Sequence, residues 1–185
     1  MGPNDGAADT NSPIAGPSAA AALRRADSLA ADLAVTVVGL LRVAEATTVA
    51  ITDFVAIAAD QGALVDTAAA SLQRERIRAA RYALLALDIG EVRHTCALRN
   101  AASGQHRARD RMPVPPPRLD VEHQAIPALL AMRTWSSNEN RRLSAHASTQ
   151  GAALVQALCR LDEPPLRYTG RRIAAGLGLR PRPGA

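Results

Sequence analysis

From Leu23 to Leu72 the chain carries an unbroken three-four alternation of seam positions, and a sequence with that stripe is built to pair helices. Its first half reads Leu23, Ala26, Ala30, Leu33, Val37, Leu40 and Ala44; the second runs through Thr47, Ile51, Phe54, Ala58, Gln61, Val65, Ala68 and Leu72. Thr47 and Gln61 are its only polar members, while Asp27, Asp32, Arg42, Glu45 and Asp53 all fall off it. The large apolar members Leu33, Val37, Leu40, Ile51, Phe54, Val65 and Leu72 are the expected interaction seam. A single straight helix over these roughly 50 positions would be about 75 Å long, more than the diameter of a small domain. The stripe must therefore project and oligomerise or fold back, and the hinges available are Gly39 and the group Asp60, Gln61, Gly62, with Gly62 the preferred turn. The β-branched runs Val35 to Val38 and Thr47 to Thr52 pull the other way, towards short strands.

What would fill the core decides between these pulls. Phe54, Tyr82, Trp135 and Tyr168 are the only aromatic side chains among 185 residues, so Leu, Val and Ala must do the packing. Small side chains suit closely approaching helices better than sandwiches or barrels. The expected class is all-α, with an Ala-rich helical hairpin or coiled coil in the N-terminal half.

Along the chain, residues 1–17 are rich in Pro and Gly and read as a disordered arm. Residues 18–100 read as the hairpin domain, with Ser18 as a helix cap. Within it, residues 71–87 form the clearest helix, with Ile77, Ala80, Leu84 and Leu87 on one side, Arg74, Arg78 and Arg81 on another, and an end at Asp88, Ile89 and Gly90. Residues 101–127 lose periodicity and gain prolines, which marks a linker and the main domain boundary. In it Pro113, Pro116 and Arg118 have the spacing of ligands of SH3 domains, a match that Pro-rich and Arg-rich composition produces unaided. A short helical region over 128–163 follows, with Ser136 and Glu139 as a capping box and Pro164 and Pro165 as its stop. Residues 164–185 read as a basic tail. Propensity, pattern and turn chemistry agree tolerably over 18–98 and poorly over 103–185.

Every basic residue is Arg, and charge is segregated: −5 over residues 1–72, +6 over 73–118, −1 over 119–163 and +5 over 164–185. An acidic helix packed on a basic one accounts for the first two segments, with Arg74, Arg78 and Arg81 as partners for Asp27, Asp32, Asp53 and Asp60. The tail lacks such a neighbour, so Arg167, Arg171, Arg172, Arg180 and Arg182 are the candidates for phosphate contact.

Catalytic and metal chemistry find little support. Glu91 and His94 form a lone Glu-x-x-His pair without the second pair and further carboxylates of a di-iron site, and paired zinc-ligand spacings are absent. No nucleophile elbow, phosphate loop or dinucleotide fingerprint occurs, and Ser144 and His146 are near only in sequence. Cys96 and Cys159, without an export signal, read as free thiols in a cytoplasmic protein. The longest uncharged run between Asp32 and Arg42 is far short of the roughly 20 residues a membrane helix needs. Neither a cofactor nor a metal is expected.

Two local similarities add to this. Ile173, Ala174, Leu177, Gly178 and Leu179 resemble the second helix of helix-turn-helix regulators, and the lead-in from Ala153 is similar to that of MarR-like or IclR-like winged-helix regulators. That resemblance implies DNA binding; with Arg180 to Ala185 following in place of a recognition helix, it implies phosphate contact rather than base reading. Ala50 to Thr52 and Gln61 to Leu72 are similar to the returning arm of chemoreceptor signalling hairpins, which implies antiparallel packing of Ala-rich heptads. The Glu- and Gly-rich tip through which that family engages its kinase and adaptor has no counterpart here. The expected function is therefore a non-enzymatic helical interaction or scaffolding protein, a homo-oligomer or the partner of another helical protein, away from membranes. An accessory DNA-binding role for the basic C-terminus is the alternative.

Overall fold

The computed structural model describes residues 17–58, 62–99, 113–120 and 124–179. The protein is all-α: α1 (Pro17–Ile57), α2 (Gly62–Arg99), α3 (Ala125–Cys159) and α4 (Pro164–Leu177), with no strand among the described residues. The expected arm, most of the Asp60–Gly62 turn and residues 100–112 of the linker lie outside them.

α1 runs for 41 residues without a break at Gly39, and the chain turns back between Ile57 and Gly62. Helix wins over strand in the β-branched runs because each residue type finds a use there. Val37 and Val43 are buried in the core, while Thr47 and Thr48 donate to the carbonyls of Val43 and Ala44 at 2.7 and 2.8 Å, satisfying their hydroxyls within the helix. Thr36, also buried, donates to Gln150 Oε1 of α3 at 2.7 Å.

α1 is the spine. α2 and α3 both pack against it, and α4 packs against α2 and α3 on the side away from it. Arg93 of α2 reaches Asp27 near the start of α1, and Ala68 near the start of α2 shares a cluster with Phe54, so α1 and α2 are antiparallel. The Thr36–Gln150 bond, together with Leu129 against the Phe54 cluster, makes α3 antiparallel to α1 as well. α2 and α3 consequently run in the same direction, which a short turn cannot connect. The Pro-rich segment read as a linker stands between helices whose buried residues share one cluster.

That core joins all four helices: Leu33, Val37 and Leu40 of α1, Leu85, Ile89 and Val92 of α2, Leu143, Leu154 and Leu158 of α3, and Leu166 and Ile173 of α4. A second cluster at the far end holds Ile51, Phe54, Ala58 and Ala68, with Val65, Leu72 and Leu129 against it. The bundle is four helices thick at one end and three at the other.

Three helix boundaries differ from expectation. Asp88, Ile89 and Gly90 lie inside α2, because Leu85, Ile89, Val92 and Cys96 carry one buried row straight past them and outweigh the roughly 1 kcal/mol that a helical glycine costs. α3 starts at Ala125, so Ser136 and Glu139 sit in mid-helix and form no capping box; Pro127 is tolerated in the first turn, where its missing N–H has no helical partner. Pro164 likewise opens α4 within the segment read as a tail. α4 ends at Gly178, whose φ of 68° permits the N–H groups of Gly178 and Leu179 to bond the carbonyls of Ala175 and Ala174 at 3.0 and 2.9 Å.

Candidate functional site

The seam residues of α1 meet one another's neighbours inside a single chain. Leu33, Val37 and Leu40 are fully buried in the cluster to which all four helices contribute, and Ile51 and Phe54 are buried with Val65 and Leu72 packed beside them. By length and composition α1 is also apolar enough to cross a membrane; in this fold its apolar face lies against α2 and α3.

Exposed apolar side chains include Val49 and Ile57 on α1 and Ile126 and Leu130 on α3, and α2 carries a row of them. α2 buries Leu85, Ile89, Val92 and Cys96 and turns a second row outward, with Ile77 60 %, Leu84 65 % and Leu87 70 % exposed. Ala80 between them is exposed too. Residues 77, 80, 84 and 87 repeat with three-four spacing, so they form one stripe on the face opposite the buried row. The stripe continues through Gln73 on one side and Glu91, His94 and Leu98 on the other, all exposed. The sequence places Ile77, Ala80, Leu84 and Leu87 on one side of their helix, and the fold turns that side outward.

Along its flank, α4 is fastened to α2 by charge. Arg172 bonds Asp88 at 2.6 Å and also Glu91, and its guanidinium lies 5.4 Å from the ring centre of Tyr168. Partial desolvation opposes the charge on Arg172, but the two carboxylates outweigh it and raise its pKa. Arg81 donates from Nε to the Gly176 carbonyl at 2.7 Å, placing a cation at the C-terminal end of α4. Arg99 meets Glu163 at its other end.

These pairings replace the expected acidic-on-basic hairpin. Arg78 pairs with Glu75 of its own helix at 2.7 Å, Arg74 donates to Ser71, and it is Arg93 that reaches Asp27, at 3.5 Å. Of the candidate phosphate contacts, Arg172 faces two carboxylates and Arg167 faces Asp162 at 3.6 Å and the Leu161 carbonyl at 2.9 Å. Arg171 is exposed on α4, and Arg180 and Arg182 lie outside the described residues. A shallow cleft of about 260 Å³ between α1 and α3 gathers Arg25, Gln156 and Arg160 among alanines.

A further polar site, with no signal in the sequence, holds the crossover on α3. Trp135 Nε1 donates to the Val114 carbonyl at 3.1 Å, and the Val114 N–H donates to Glu139 Oε2 at 3.2 Å, so one peptide residue is gripped from both sides. Arg142 closes on the same carboxylate at 2.7 Å. Its hydrogen bond lowers the Glu139 pKa below the usual carboxylate range, against the opposing effect of burial and with help from Val114. Arg142 is raised in return by Glu139. A depressed carboxylate stabilises the fold fully above the pH where a free glutamate titrates, about 4.3, and the contribution vanishes as pH falls through the lower folded value. Fluorescence of Trp135, the only tryptophan, should therefore report release of Val114 in acid below about pH 4.3. Glu139→Gln should remove that transition, and an unaltered acid titration in this variant would assign it to another group.

No group of three or more His, Cys, Asp or Glu residues able to hold a metal occurs among the described residues. Glu91 faces Arg172. Cys96 is buried, and burial, with Asp27 adding to it, pushes its thiol up to about 11, so little thiolate forms at neutral pH. Ser144 and His146 are two apart on α3 and point to different sides of the helix. The chain matches no protein-family model, no curated protein and no solved structure.

Proposed function

We propose that this is a non-enzymatic, cytoplasmic helical interaction protein that associates with itself through the outward stripe of α2, in a scaffolding role. The observation that supports it is the exposure of Ile77, Leu84 and Leu87 in heptad register on one face of a rigid helix. Their alignment along one stripe is what a helix-pairing surface needs. The α1 residues that sequence alone offers for association already have partners within the chain, so the role passes to α2. Full burial of each large side chain contributes roughly 1.5–3 kcal/mol. Nucleic-acid binding through α4 is the weaker reading, because Arg172 and Arg167 already face carboxylates.

The test is light scattering on the purified protein beside Leu84→Asp and Leu87→Asp. The wild-type chain is expected to run as an oligomer at micromolar concentration, and each variant as a monomer with unchanged helicity. A monomeric wild type, or an oligomer indifferent to both substitutions, would remove the basis for this reading.

A further inference from the structure

We infer that the occupant of the α2 stripe is a second copy of this chain whose α2 lies antiparallel, related by a two-fold axis near Tyr82. The inference rests on the self-association proposed above and specifies its geometry. In an isologous contact each residue meets the counterpart that it in turn supplies. In an antiparallel heptad pair, Ile77 then faces Leu87 of the second copy, and Ala80 faces Leu84. All four apolar positions are covered at once, and the small Ala80 next to the axis lets the helices approach closely. One layer further out, Gln73 faces the second copy's Glu91, an amide able to donate to a carboxylate. One layer beyond that, Ala70 faces His94. Residues 70, 73, 77, 80, 84, 87, 91 and 94 are all exposed, so this register needs no rearrangement of the fold.

Charge selects this direction over the parallel one. Within the paired window, residues 73–81 carry Arg74, Arg76, Arg78 and Arg81 against Glu75 alone, whereas residues 83–91 carry Asp88 and Glu91 and no Arg. An antiparallel pair sets each Arg-rich half beside the other copy's Asp88 and Glu91. A parallel pair would set Arg74, Arg76 and Arg81 against their own copies, and like charges held side by side oppose association. Arg81, the cation closest to the axis, is turned towards α4 by its bond to the Gly176 carbonyl. α4 flanks the stripe without covering it, since Ile77, Leu84 and Leu87 stay exposed with α4 docked.

Cysteine cross-linking reads the direction directly. In a Cys159→Ser background, which removes the exposed thiol and leaves the buried Cys96, the full-length variants Ala70→Cys and His94→Cys are treated with a short bis-maleimide, separately and mixed. The antiparallel register predicts covalent dimers in the mixture and at least a tenfold lower yield from either variant alone. Efficient linking of each variant to itself would establish a parallel pair and overturn the inference while leaving self-association standing. A monomer by light scattering in the same background would overturn both. Ala83→Cys, placed beside the proposed axis, is expected to link to itself; failure to do so with the dimer intact would rule out this register.

Discussion

Leu40→Asp should leave the chain without a cooperative thermal transition. Leu40 is fully buried within the cluster that joins all four helices. Removing it from the core forfeits roughly 1.5–3 kcal/mol of burial. A carboxylate in its place must then be desolvated or kept protonated, which costs several kcal/mol more. Domains of this size are typically stable by about 5–15 kcal/mol, so the two losses together consume most or all of the margin. Leu40→Ala is the graded companion: it should lose about 2–5 kcal/mol and still fold. Circular dichroism melts of the two variants check this, and a Leu40→Asp protein melting like the wild type would show that α1 is not the spine of the bundle.

Ile173→Asp should act locally where Leu40→Asp acts globally. Ile173 is the fully buried centre of α4, a helix of 14 residues that touches α2 and α3 but not α1. Isolated helices shorter than about 12–15 residues are marginal in water, so α4 depends on this docking. With a carboxylate at its centre, α4 should undock and melt, taking Arg172 away from Asp88 and Glu91. The α1–α2–α3 packing should persist, weakened by newly exposed Leu85 and Leu158. Hydrogen exchange resolved by peptide is the measurement: amides of 164–177 should lose protection while those around Phe54 keep it. Full protection across 164–177 would mean that the ion pairs and the Gly178 cap hold α4 without its apolar row.

How much of this was legible depended on whether a helix has one apolar face or two. α1 has one dominant stripe, and its large seam residues are the ones that the fold buries. α2 has two, Leu85–Ile89–Val92–Cys96 and Ile77–Leu84–Leu87, and its own periodicity cannot say which faces the spine. That choice is made by register against α1 and by α4 arriving on the other side, information that lies more than 70 residues downstream in Leu166 and Ile173. α4 itself hid behind composition. Its row Leu166, Gly170, Ile173 and Leu177 has helical spacing, but two prolines, three glycines and four arginines from Pro164 to Arg180 resemble a tail until Pro164 is seen as a first-turn residue and Gly178 as a terminator. The Glu139 site had no signal at all, because a carboxylate that binds a backbone N–H 25 residues upstream leaves no pattern in side-chain identities.

The route of the chain through the bundle also dictates an order of assembly. α1 and α2 meet through a short reversal, whereas Thr36 finds its partner Gln150 114 positions further along the chain. Closing that loop costs more chain entropy and comes later. A chain still emerging from the ribosome therefore presents its first hairpin before α3 has docked on α1 and α4 on α2, and apolar surface that those helices will cover is open to neighbouring chains. The Asp88 and Glu91 pair, waiting for Arg172, keeps acidic charge beside the stripe that α4 has yet to claim.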